Sequence, residues 1–172
     1  DTINCYINAN HHLVATIGIK DLVVVDTPDA TLISTLDKAQ EFGKVTEYLK
    51  LQDREEQYKH RKVYRPWGWY DSIEIGKNFQ VKKLHINPNA KLSLQMHHKR
   101  AEHWVVVAGT ATCIKDNDVF TLTQGDSIFI PMNTLHGLEN KTEELLEIIE
   151  VQSGAYLGED DIVRFEDIYG RK

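Results

Sequence analysis

Leu92-Ser93-Leu94-Gln95-Met96-His97 alternates apolar and polar residues, and the chain then runs through Glu102-His103-Trp104-Val105-Val106-Val107 to a glycine at Gly109. A period of two makes the first stretch a strand, with Leu92, Leu94 and Met96 on one face and Ser93, Gln95 and His97 on the other. The second stretch is too apolar on both sides for a solvent-facing strand. Glu102 therefore enters a closed interior, where an ionised carboxylate needs a partner. Further on, Gly125, the strand Ser127-Ile128-Phe129-Ile130 and the turn begun by Pro131 can return His136 to the same cavity, with Asn140 following. The chain thus carries two half-motifs, Gln95-x-His97-x4-Glu102-x6-Gly109 and Gly125-x5-Pro131-x4-His136-x3-Asn140.

Gln95, His97, Glu102 and His136 offer two imidazoles, a carboxylate and an amide to one cation. Imidazole suits zinc and other late first-row metals, while carboxylate and amide oxygens also accept manganese or magnesium. A divalent ion is expected, zinc first, with cobalt, manganese or magnesium as alternatives. Taken singly, each histidine reads as an ordinary hydrogen-bonded residue and Gln95 and Glu102 as parts of a polar network. The convergence of ligand types between two glycine turns favours the metal site.

The two half-motifs resemble those of the cupin superfamily, with Gln95 where its first histidine usually stands and Asn133 where a glycine is usual after the proline. Gln-x-His is the variant seen in phosphomannose isomerases. Three further segments are similar to signatures of type II phosphomannose isomerase: Tyr64-Arg65-Pro66-Trp67-Gly68-Trp69-Tyr70; His97-His98-Lys99-Arg100-Ala101-Glu102-His103-Trp104; and Gly158-Glu159-Asp160-Asp161-Ile162-Val163-Arg164 with Tyr169-Gly170-Arg171. The resemblance covers nearly the whole chain. It implies a mainly β fold, a cupin double-stranded β-barrel or jelly roll, preceded by a short β segment and a linker helix. In that family this domain is the C-terminal part of a bifunctional enzyme that is also a mannose-1-phosphate guanylyltransferase. The domains expected are a remnant of the guanylyltransferase region over 1–36, a helical linker over 37–62 and the isomerase barrel over 63–172.

With 172 residues, of which 41% are hydrophobic, the chain has material for one full domain and an appendage. No run reaches the apolar length of a membrane span, and Asp1-Thr2-Ile3-Asn4 lacks a signal-peptide pattern, so a cytoplasmic protein without membrane contact is expected. Cys5 and Cys113 lie in different predicted units and are read as two thiols in a reducing compartment. A net charge of -6 argues against general nucleic-acid binding while leaving room for a local cationic pocket. The basic cluster Lys59-His60-Arg61-Lys62 is read as solvated linker.

The first residues hold short strands, Leu13-Val14-Ala15-Thr16-Ile17-Gly18 and Leu22-Val23-Val24-Val25-Asp26-Thr27, then a Thr27-Pro28-Asp29 turn and Thr31-Leu32-Ile33-Ser34. From Asp37 to about Lys50, Ala39, Phe42, Val45, Tyr48 and Leu49 recur at helical spacing, weakened by Gly43. Ile17 to Ala30 is similar to the end of the family's guanylyltransferase region. No glycine-rich loop able to cradle a triphosphate is present, so guanylyl transfer is assigned to a missing N-terminal domain of a longer parent.

The resemblance implies isomerisation of mannose 6-phosphate and fructose 6-phosphate, with a sugar phosphate as partner and a homodimer as the assembly to test. Arg164 is carried over as catalytic, against a plain reading as a surface ion pair with Asp160, Asp161 or Glu166. Lys99 and Arg100 are candidate phosphate ligands, against the reading of solvated hairpin charges. His98, His103 and Glu150 are candidate bases, although alternation points His98 away from His97 and His103 away from Glu102. Trp67, Trp69 and Trp104 are read as core or rim packing, and Tyr156, Asp167 and Tyr169 as supports of Arg164. Two other readings stand beside the isomerase: a cupin oxygenase with iron on two histidines and a carboxylate, and a metal- or sugar-binding module without turnover.

Overall fold

Short apolar runs closed by glycine, asparagine and proline turns become strands throughout the computed structural model, which describes residues 1–10, 12–52, 54, 60–166 and 170. The chain divides into two units between Arg61 and Lys62. Asp167, Tyr169, Arg171 and Lys59 lie outside the described residues.

In the first unit, β1 (Tyr6–Ala9) runs parallel to β2 (Leu22–Asp26), which pairs antiparallel with β3 (Thr31–Thr35). The β-branched run gives β2 its extended backbone, and Val23 and Val24 are buried. Thr27 closes the turn by donating its N–H and its hydroxyl to the Ala30 carbonyl. Leu13 to Gly18, expected as a strand, forms none; Leu13 and Ile17 are exposed, so the apolar run has no buried face to hold it. The expected helix is present as a 3-10 turn, Leu36–Glu41, continuing into α1 (Phe42–Leu51), with Gly43 in the first turn of α1. Both belong to this unit. From the basic cluster, the Arg61 backbone N–H donates to Asp29 Oδ1, and His60 Nδ1 lies 3.6 Å from Asp29 Oδ2.

The second unit holds two sheets. One has the order β11-β8-β13-β6-β5-β4 and the other β10-β9-β12-β7-β14. The strands are β4 (Lys62–Arg65), β5 (Gly68–Ile75), β6 (Phe79–Ile86), β7 (Leu94–His97), β8 (Arg100–Ala108), β9 (Thr110–Lys115), β10 (Asp118–Thr123), β11 (Ser127–Ile130), β12 (His136–Glu139), β13 (Leu146–Gly154) and β14 (Ile162–Glu166). One buried cluster joins Leu84, Trp104, Val106 and Ile148 of the first sheet to Ala111, Cys113 and Leu138 of the second, so the sheets pack face to face.

The inward faces of β6, β8 and β13 change character midway. Ile148 stands opposite both Leu84 and Val106, an apolar row. One pleat further, Glu150 stands opposite Lys82 and Trp104, and then Gln152 opposite Glu102. All of these residues are buried. One end of the barrel is therefore a packed hydrophobic plug, and the other gathers polar groups.

Two turns hold the motifs. Gly109, between β8 and β9, has φ +80, and a Cβ there would strike the Leu145 carbonyl. Asn133, where a glycine is usual, adopts φ +61, a conformation asparagine tolerates better than most residues. Its N–H donates to the His97 carbonyl at 2.7 Å, tying the second half-motif to the first. Asn140 is fully buried; its Nδ2 donates to the carbonyls of Ile86, Asn87 and Glu144, and its Oδ1 accepts from Thr142. It is a structural amide.

Candidate metal centre

β7 and β14 run alongside β12 so that His136 and Arg164 both stand opposite Gln95, while Ile162 stands opposite His97. Directly paired residues of antiparallel strands share a face. Gln95, His136 and Arg164 thus form one row across the sheet, with His97 one pleat further along β7. Glu102 arrives from β8 in the other sheet.

His97, Glu102 and His136 each present a ligand atom, all within 4.8 Å of one another, and all three side chains are buried. Atoms bound to one ion at about 2.1 Å lie roughly 3 to 4 Å apart, so modest contraction would close this set on a metal. His97 Nε2 is 3.1 Å from Glu102 Oε1, and His136 Nε2 is 3.7 Å from Glu102 Oε2. Neither imidazole nitrogen has a hydrogen-bond partner. Two orphaned ring nitrogens converging on a buried carboxylate fit a cation, because unpaired buried polar atoms are otherwise costly. His136 Nδ1 donates to the Thr134 carbonyl at 2.9 Å, which leaves Nε2 with the lone pair a metal requires. Burial holds the His136 pKa below its usual value, favouring the neutral ligand form, although the Glu102 charge opposes this. For Glu102 itself, burial opposes ionisation, yet the close approach of His97 and the charges of His136 and Arg100 outweigh it and hold the carboxyl well below the usual carboxylate range.

Of the ligand set, Gln95 and Glu102 but neither histidine face a cleft of about 490 Å³, part of it continuous with solvent. Gln95, Arg100, Glu102, Glu150 and Arg164 line it. Gln95 Oε1 accepts a 3.3 Å hydrogen bond from Ser93. Arg164 Nε is buried without a partner, and among the described residues Arg164 forms no ion pair with Asp160, Asp161 or Glu166. Two of those acids are engaged elsewhere: Asp160 accepts from the Tyr156 hydroxyl, and Asp161 from the Lys99 backbone N–H.

Lys99 and Arg100 diverge. Lys99 is exposed, with its ammonium 4.7 Å from the Tyr156 ring centroid, and it does not line the cleft. Arg100 is buried, donating from Nε to Glu102 and from Nη1 to the carbonyls of Leu157 and Gly158. Of the two candidate phosphate ligands, Lys99 sits in the bend between β7 and β8 outside the cleft, and Arg100, the first residue of β8, lines the cleft with its guanidinium bonded to the wall. His98 hydrogen-bonds Asn133 and is exposed, and His103 is exposed against Phe129; neither lines the cleft. Trp67 and Trp104 are core, whereas Trp69 stacks on His85 at 4.7 Å.

Among the charged and amide side chains of the cleft, four carried no assigned role in the sequence reading: Lys82, Gln152, Glu159 and Arg65. Lys82 Nζ is 2.7 Å from Glu159 Oε1, and Gln152 Nε2 donates to both Glu102 and Glu150. Gln152 shares the buried face of β13 with Leu146, Ile148 and Glu150, a mixed face that gives no local signal for it.

Residues 52–167 match the mannose-6-phosphate isomerase C-terminal family. The chain belongs to this family. Residues 1–49 match the MannoseP isomerase/GMP-like beta-helix domain, so the family's isomerase region begins after that segment. Among curated relatives, the alginate biosynthesis protein AlgA of Pseudomonas putida is 53% identical over 99% of this chain and 35% of the relative. The mannose-1-phosphate guanylyltransferase of Salmonella montevideo is 51% identical over 98% and 36%. The xanthan biosynthesis protein XanB of Xanthomonas campestris is 54% identical over 92% and 34%. The chain thus spans about a third of the length of these relatives. Among solved structures, oxalate decarboxylase from Bacillus subtilis aligns over 63% of this chain and 30% of that one at 19% identity and TM-score 0.55. An uncharacterised Klebsiella pneumoniae protein with a double-stranded beta-helix domain aligns over 63% and 88% at 18% identity and TM-score 0.51. These structures establish the double-stranded β-helix fold and nothing more. Among the described residues no helix is long and apolar enough to cross a membrane.

Proposed function

We propose that this chain isomerises mannose 6-phosphate and fructose 6-phosphate with a divalent metal held by Gln95, His97, Glu102 and His136. The observation that carries the reading is the row His136, Gln95 and Arg164, which sets a buried guanidinium nitrogen without a partner beside the ligand cluster. When bound, a divalent cation supplies Lewis acidity to a sugar carbonyl. With one carboxylate among neutral ligands, the set leaves half of the ion's formal charge uncancelled.

The reaction moves a proton between C2 and C1 through an enediolate, which needs a base and a stabiliser of negative charge. Of the candidate bases, Glu150 lines the cleft. Burial, and secondarily the Glu102 charge, push its pKa up to about 8, close to the value a base working near neutrality requires. Its carboxylate takes the proton from C2 and, as the carboxyl so formed, returns it to C1, while Trp104 Nε1 and Gln152 Nε2 hold its two oxygens. Arg164 stabilises the enediolate oxygens, where a preorganised guanidinium in a buried site is effective.

The guanylyl transfer named for the Salmonella relative is assigned to the part of those proteins that this chain does not span. The decisive assay is conversion of mannose 6-phosphate to fructose 6-phosphate by the purified, metal-loaded chain. Metal binding without turnover would leave a binding module instead.

A further inference from the structure

Four cationic side chains line the cleft: Arg65, Lys82, Arg100 and Arg164. Arg100 is spent on Glu102 and two carbonyls, and Lys82 pairs with Glu159. Arg164 stands opposite Gln95, beside the ligand cluster. Arg65, half-buried at the end of β4, has no carboxylate within ion-pair distance among the described residues. Its side-chain hydrogen bond is a long one, 3.5 Å from Nη1 to the Tyr64 carbonyl.

Arg65 is nonetheless positioned. Its Cζ lies 5.5 Å from the centroid of the Tyr70 ring, and Lys82 Nζ lies 4.7 Å from the same ring. Two cations over one aromatic ring are favoured individually by its quadrupole but repel one another, an arrangement that an anion between them would relieve. Glu159 bonds Lys82 and also feels the charges of Arg100 and Arg65, so one carboxylate faces three cations. β4 is the far edge of its sheet, with β13, β6 and β5 lying between it and the strand of Glu102.

We propose that Arg65, set on Tyr70 beside Lys82, binds the phosphate of the sugar phosphate. The identity of the substrate rests on the isomerase reading; the anion site rests on the cleft itself. In an acyclic hexose 6-phosphate the reacting carbons C1 and C2 are at one end and the phosphate at the other. With C1 and C2 at the metal ligands and Arg164, the phosphate must fall on a cation away from them. Arg65 is uncommitted and carries the planar fork that grips phosphate oxygens in pairs.

The test is calorimetric binding of glucitol 6-phosphate, which has no carbonyl to react, to the metal-loaded chain, with glucitol as the phosphate-free control. Arg65→Gln is expected to weaken glucitol 6-phosphate about 10- to 100-fold and Arg65→Lys about 3- to 10-fold, as loss of a charged hydrogen-bonding fork predicts. Glucitol binding stays the same in all three proteins. On mannose 6-phosphate, KM rises by the same factor while kcat stays within about 3-fold, because the lost contact is uniform between ground and transition states. Wild-type affinity for glucitol 6-phosphate in a folded Arg65→Gln protein overturns the assignment, as does equal weakening of glucitol or no binding by the wild type. Should Arg65→Gln fail to fold, unchanged affinity in Arg65→Lys overturns it instead. Arg65-dependent binding without turnover keeps the phosphate site and removes the isomerase reading; turnover with an unaltered KM in Arg65→Gln does the reverse.

Discussion

Glu102 and Glu150 share their hydrogen-bond donors. Trp104 Nε1 lies 3.0 Å from Glu102 Oε2 and 3.1 Å from Glu150 Oε2, and Gln152 Nε2 lies 3.0 Å from Glu102 Oε1 and 2.8 Å from Glu150 Oε1. Two buried carboxylates held this close cannot both ionise freely, and their environments separate them: Glu102 is driven to the charged form by its imidazole and guanidinium neighbours, and Glu150 retains its proton up to about pH 8.

That separation has a pH signature in the metal-free chain. The folded-state pKa of Glu150 is raised above its unfolded value near 4.5, so the folded state binds the extra proton and stability falls as pH rises between about 4.5 and 8. His136, with a lowered pKa, contributes in the opposite sense at the acidic end of this window. Comparison of the wild type with Glu150→Gln isolates the first effect. Denaturant titrations should show the variant gaining on the order of 2 to 4 kcal/mol relative to the wild type between pH 5 and pH 8. A constant difference across that range would disprove it.

The ligand set predicts metal dependence. His97→Ala and His136→Ala should each lower bound divalent metal and isomerase activity together, with affinity falling at least about 100-fold, since each removes one of few ligands. Elemental analysis of purified variants measures this directly. Full metal content in both variants would dismiss the centre.

Arg164→Lys keeps the charge and loses the planar fork. Turnover on mannose 6-phosphate should fall roughly 10- to 1000-fold with metal content and thermal midpoint near the wild-type values. Steady-state kinetics and metal analysis on one preparation decide it, and wild-type turnover in both Arg164→Lys and Arg164→Ala removes the role.

Cys113 is buried in the barrel core, and burial pushes its thiol up to about 12. It should resist a thiol-specific disulfide reagent at pH 8 in the native chain and react on unfolding, because the thiolate is the nucleophile. The half-exposed Cys5 should react without unfolding. Titration of thiols with and without denaturant gives the two counts.

What the sequence revealed depended on whether one face of a strand was uniform. In Leu92 to His97 the polar positions share a face, and period alone aligns Gln95 with His97. β13 defeats the same reasoning, because apolar Ile149 and Val151 face outward while Glu150 and Gln152 face in. Lys82 was illegible for a like reason: its partner Glu159 lies 77 residues away. Arg100 reads as a hairpin charge until Leu157 and Gly158 bring their carbonyls to it. Arg164 needed the pairing of β14 with β7, a register no local pattern encodes. Asn133 is the instructive exception: a residue out of place in its motif still takes the left-handed conformation that the position demands.

The midway change of character along β6, β8 and β13 gives the barrel an uneven mutational landscape. Truncating Leu84, Val106 or Ile148 in the plug would cost about 2 to 5 kcal/mol each, a large share of a domain's net stability. Replacing a neutral donor such as Gln152 at the mouth would cost nearer 1 to 3 kcal/mol. Substitution therefore costs less folding stability at the polar mouth than where the sheets are clamped, and a lineage built on this frame can vary its strand ends at the mouth while the opposite end keeps it folded.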